Sequence, residues 1–236
     1  FGALIWFYTR DNLKLRFIVF LLILLFASVT MHFSLPVKLY AIKEVRWFFN
    51  IEYIYFLLIL LPATYVGDIL KGRVSLPGGF DSLERATANL FTRIMMFAYL
   101  LMFVIWMMIA LYTEWSLYKM LFSVSAALII WLLSKRVFPQ YAQISLIASV
   151  MITGGGLFLF YEGAITKVPC TVSYCLFTTG ISIYLLIISD FVVHWFPASY
   201  FSRIFSGAGS NPLMSYITFG ALVMPVFRLT GLIHIY

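Results

Sequence analysis

The residues that could do chemistry in this chain are few, and nearly all of them sit at or within long apolar runs. Asp68 follows Gly67 at the end of one run, Asp190 and His194 stand four apart near the end of another, and Asn211 precedes Pro212 at the start of a third. Ionisable groups inside a membrane are expensive, which makes each a functional candidate. Four-residue spacing puts Asp190 and His194 on one helix face. There a carboxylate beside an imidazole is either a proton relay or an interfacial pair turned to water. Asp68 reads either as an intramembrane functional carboxylate or as a solvated one beside Lys71, a weak surface pairing. His32 reads as a packed, hydrogen-bonded residue, Arg228 as an anion partner or a snorkelling cation, and Glu162 and Lys167 as solvent-facing residues of a short turn. Cys170 and Cys175, the only cysteines, are five apart, a spacing of neither a zinc pair nor a redox C-x-x-C. They read as small packing residues. The sequence holds no metal-ligand cluster, nucleotide-binding glycine fingerprint or nucleophile elbow, so no metal is expected.

The elements that must position these residues are membrane spans. Hydrophobic residues make up 63% of the 236 and charged residues 11%, with a mean hydropathy of +1.00, against about 45–50% apolar and about 25% charged for a soluble domain. A water-soluble fold of this size cannot hide that much apolar surface. Each crossing takes roughly 20 apolar residues, which gives an all-α bundle of about seven spans: 17–35, 51–70, 89–112, 117–133, 141–161, 170–193 and 212–236. Pro36 stops the first, Pro62 kinks the second, and Pro139 opens the fifth. Gly154, Gly155 and Gly156 either loosen the fifth span or let another backbone approach closely. The aromatic and basic connector 37–50, with Trp47, Phe48 and Phe49, suits an interfacial segment.

Residues 71–88, with the Pro77-Gly78-Gly79 turn, form the main exposed loop. The chain opens on the apolar run Phe1–Tyr8 and then the charged Thr9–Arg16, the reverse of signal-peptide order. It reads as a single transmembrane domain forming the C-terminal part of a longer protein. Alternating the loops puts ten basic residues on one side, among them Arg10, Lys14, Arg16, Lys71, Arg73, Lys135 and Arg136, and five on the other. The positive-inside rule assigns the first set, and with it the loop 71–88, to the cytoplasm. The formal charge of +7 is scattered over short loops, so no nucleic acid partner is expected, and the bilayer is the principal one.

Four stretches in order, Phe1–Arg16, Trp47–Leu70, Tyr161–Leu186 and Gly209–Ile217, resemble the C-terminal half of a bacterial membrane family of unassigned function. That family is related to heparan-alpha-glucosaminide N-acetyltransferase and, more loosely, to other membrane acyltransferases. Gly67-Asp68 and Asn211-Pro212 match its C-terminal motifs. The resemblance implies a bacterial inner-membrane protein that passes an acyl group, such as acetyl, from acyl-coenzyme A to a sugar or glycan on the far side. The relative's catalytic histidine belongs to an N-terminal half not present in this chain, and none of His32, His194 or His234 matches its motif. Coenzyme A is polyanionic, so Lys71, Arg73 and Arg93 are the candidates to steer its phosphates, with Asn211 donating a hydrogen bond in the pocket. Topology-setting charges and an ordinary helix cap are the plainer reading of the same residues. A transporter or flippase is the second function class that polar groups in spans, a proline kink and a triple glycine fit, though the chain has no internal repeat. A non-catalytic envelope assembly partner is the third, and a homo-oligomer is compatible with each.

Overall fold

The computed structural model describes residues 2–9, 12–32, 55–70, 90–113, 117–166 and 170–195. Seven α-helices and one short 3-10 turn account for nearly all of these, with no strand among the described residues. They are α1 (Gly2–Thr9), α2 (Leu13–His32), α3 (Leu57–Leu70), α4 (Leu90–Tyr112), α5 (Leu117–Val137), α6 (Ala142–Glu162) and α7 (Val172–Trp195). In hydrocarbon the helix is the open-chain solution that bonds every peptide group within its own segment, and the sequence supplies apolar runs of the needed length. Four helices are long and apolar enough to cross a membrane: Phe91–Leu111, Leu117–Val137, Ala142–Glu162 and Val172–Val192. This makes the chain an all-helical integral membrane protein by length and composition.

The structure thus shows four long spans among the described residues rather than about seven. Of the expected second span, 51–70, residues 55–70 are described, and α3 covers 14 of them with Pro62 buried inside it. The expected seventh, 212–236, lies outside the described residues. The chain divides into two compact units, Phe1–Ile188 and Ser189–Tyr236, and only the end of α7 is described in the second.

Within the first unit, α5 and α6 form the tightest pair, an antiparallel hairpin closed by the 3-10 turn Pro139–Tyr141. Lys135 and Arg136 occupy the last turn of α5, where they oppose the partial negative charge of the helix end. Lys135 also lies 4.0 Å over the Trp131 ring. The three glycines do not loosen α6, which runs unbroken from Ala142 to Glu162. They admit neighbours instead: a Cβ at Gly155 would meet the Phe177 ring of α7 at 3.0 Å, and one at Gly156 would meet Met120 of α5 at 3.2 Å. Gly180 of α7 makes the closest approach, since a Cβ there would lie 2.6 Å from Ile152 Cγ1 and 3.0 Å from the Ala148 carbonyl of α6.

Hydroxyls fasten the same three helices deep in the apolar interior. Ser149 of α6 donates to the Ala127 carbonyl of α5 at 2.8 Å or to Ser145 O at 2.9 Å, and its oxygen lies 2.8 Å from the Tyr184 hydroxyl of α7. Tyr184 itself reaches Ala127 O at 3.3 Å and stacks edge-on with Phe103 of α4 at 5.5 Å. A polar group with no water nearby needs such partners, and here the partners belong to different helices. Large apolar side chains on the opposite faces, such as Phe91, Leu121, Leu157 and Phe160, stay exposed, as surfaces turned to lipid do.

Candidate functional site

The strongest concentration of chemistry is at one end of α2 and α3. Asn12 sets it up: its side-chain oxygen accepts the Leu15 N–H at 3.1 Å and caps the start of α2. The first turn of α2 then carries Arg16, whose Nη1 donates to Asp68 Oδ2 in the last turn of α3 at 2.7 Å. Arg16 Nη2 also reaches the Thr9 carbonyl at the end of α1, at 3.5 Å. Both partners are withdrawn from the surface, Arg16 at 3% and Asp68 at 6% exposed. Each charge sits at the wrong end of its own helix, since a helix start favours acids and a helix end favours bases. Helix stability therefore does not account for either residue; the pairing between them does. The solvated carboxylate beside Lys71 is replaced by a buried one joined to Arg16, 52 residues earlier.

Beside this pair lies a cleft of about 550 Å³ between α2, α3 and α6. Its walls are almost wholly apolar, with Phe17, Phe20, Leu61, Pro62, Leu146 and Met151 among them, and its polar side chains are Lys14, Arg16 and Tyr65. Lys14 is exposed. From Lys14 to Phe20 the cleft follows α2 for about 9 Å, so it begins at the charged helix start and runs toward the apolar middle. The volume lies within the range of about 300–1,000 Å³ usual for small-molecule sites.

A second polar cluster occupies the α6–α7 connection. Gly163, left-handed at φ 75°, ends α6 with its N–H bonded to Leu159 O at 2.8 Å. That turn brings Glu162 to the start of α7, where its two carboxylate oxygens accept the N–H groups of Val172 at 2.7 Å and Ser173 at 2.9 Å. Thr171 accepts the Tyr174 N–H at 3.3 Å. Glu162 is therefore a half-buried helix cap and not the solvent-facing residue the sequence led one to expect. A carboxylate at a helix start is favourable both as acceptor and as charge. Cys170 and Cys175 meet beside it, with Sγ atoms 3.4 Å apart and both residues buried.

The other candidates are dispersed. Arg93 is half-buried in the first turn of α4, whereas Lys71, Arg73 and Asn211 lie outside the described residues. Asp190 and His194 both fall in α7 with their expected spacing, and His32 falls in the last turn of α2. Among the described residues no group of three or more His, Cys, Asp or Glu converges on a common point. Arg16 and Glu162 were the two functional-looking residues that sequence reasoning passed over as a flanking charge and a loop acid. A buried role for either depends on a partner that helix packing alone supplies. Neither a protein-family model, nor a curated protein, nor a solved structure matches the chain.

Proposed function

We propose that the chain is the C-terminal part of a membrane-embedded acyltransferase in a bacterial inner membrane. It passes an acyl group from acyl-coenzyme A to a sugar or glycan at the extracytoplasmic face. The observation that carries the reading is the apolar cleft ending on Lys14 and the buried Arg16–Asp68 pair. An acyl chain suits such walls, and a small polar solute does not. In the transfer the thioester C–S bond breaks and a C–O or C–N bond to the acceptor forms, while the acceptor's proton leaves with coenzyme A as its thiol. Lys14, at the cleft rim, joins Lys71, Arg73 and Arg93 as the basic groups that attract the donor's phosphates. A flippase of a lipid-linked substrate is the second reading, favoured by the exposed apolar side chains Phe17, Ile18 and Val150 on the cleft walls.

Purified full-length protein incubated with labelled acyl-coenzyme A tests both. Acyl transfer or a labelled enzyme supports the first reading, and vesicle flipping or counterflow without turnover supports the second. Alanine at Lys71, Arg73 and Arg93 together is expected to weaken acyl-coenzyme A binding at least tenfold and to make it less sensitive to salt. Unchanged affinity removes the steering role.

A further inference from the structure

The α6–α7 connection holds a feature that acyl transfer does not use. Thr171 caps α7, so Cys170 is the residue before the cap and Cys175 is the fourth residue of the helix. Side chains at those two positions habitually pack on each other at helix starts, fixing the angle at which the chain enters. Here the contact is made by two thiols 3.4 Å apart, the only two in 236 residues. A covalent bond needs the sulfurs at about 2.05 Å. At 3.4 Å the two sulfurs already touch, with no other side chain between them.

We propose that Cys170 and Cys175 are a modification site and that the mature protein carries a disulfide between them. The two thiols lose two protons and two electrons as the S–S bond forms, and the disulfide of a thiol oxidase takes them up and becomes two thiols. The proposal rests on the orientation adopted above, in which the basic ends of α2 and α5 face the cytoplasm and the α6–α7 connection faces the oxidising side, where such bonds persist.

Burial sets the timing. Cys170 is 1% exposed and Cys175 0%, and both share one apolar cluster with Phe20 and Ile23 of α2 and with Tyr55 and Leu58. A thiol so enclosed is inert. Exchange therefore takes place before α2 and α3 close over the start of α7, and afterwards the same side chains keep water-soluble reductants from the bond. The disulfide is a fixed product of assembly and not a switch.

Trypsin cuts after Lys167 and Arg203, so one peptide, Val168–Arg203, contains both sulfurs. Cells making the full-length protein are quenched in acid and denatured in the presence of N-ethylmaleimide, and that peptide is weighed. The expected peptide carries no label, is two hydrogen masses lighter than the dithiol, and takes two labels only after reduction. Two labels without prior reduction overturn the proposal. Cells grown with dithiothreitol during synthesis are expected to yield the doubly labelled form, and Cys175→Ser is expected to yield a Cys170 that labels without reduction. The peptide's mass is independent of turnover, so failure of acyl transfer leaves this result standing, and the reverse also holds.

Discussion

At the residue scale, the Arg16–Asp68 pair has a cost that its geometry makes explicit. Two charges taken out of water lose several kcal/mol of solvation each, and their attraction offsets this only with good hydrogen-bond geometry. The 2.7 Å contact and the further reach of Arg16 to the Thr9 carbonyl provide that geometry. Removing one partner strands the other. Arg16→Met or Asp68→Leu alone is expected to destabilise the protein by about 3–5 kcal/mol, and the double replacement to recover most of that loss. Thermal unfolding in detergent reads the stability, and acyl-coenzyme A binding reads the function. A double variant that is stable yet does not bind shows that the pair serves the site; one that is stable and binds normally shows that it only fastens α2 to α3. No local pattern foretold the pair. Asp68 has a lysine three residues on, and the sequence offers that neighbour as the obvious partner, whereas the true one is reached only when α2 and α3 align.

At the scale of elements, apolar length identified the helices and small residues identified where they touch. The run of three glycines in α6 left two readings open; the unbroken helix rules out loosening, and what approaches closely is the side chains of Phe177 and Met120 rather than another backbone. Gly180 carries the same role with no such signal, because a single glycine in an apolar run reads as neutral. Gly180→Val is expected to cost about 1–3 kcal/mol through overpacking against Ile152 and the Ala148 carbonyl. Gly67→Ala, with nothing within 4 Å of the added carbon, is expected to be neutral or slightly stabilising. Comparing the two melting temperatures in one detergent checks this; equal losses would mean that close packing at Gly180 contributes nothing. The capping of α7 by Glu162 was equally hidden. Its acceptors and donors are ten and eleven residues apart, beyond the three-residue spacing by which a helix start is recognised in sequence.

For the whole molecule, a composition of 63% hydrophobic residues pointed to a membrane protein, and the four long apolar helices among the described residues agree with it. The number of spans was less legible. Hydropathy treats 51–70 as a full crossing, yet the helix described there is 14 residues long and reaches only about 21 Å. Helix α6, at 21 residues, covers about 31 Å, close to the hydrocarbon thickness. That length is enough to place its two ends on opposite faces. In a Cys170→Ser, Cys175→Ser background, Ala164→Cys is expected to react with an impermeant maleimide in intact cells, and Lys135→Cys only after permeabilisation. Both positions are exposed. Labelling of the two from the same side would refute α6 as a crossing, and labelling in the opposite order would invert the orientation.

The distance along the chain between Arg16 and Asp68 also governs how the protein is made. A ribosome adds about 5–20 residues each second, so Asp68 is synthesised about 3–10 s after Arg16. Through that interval the guanidinium lacks the partner it has in the folded protein. The clamp between the start of α2 and the end of α3 is therefore closed only after both helices have left the ribosome.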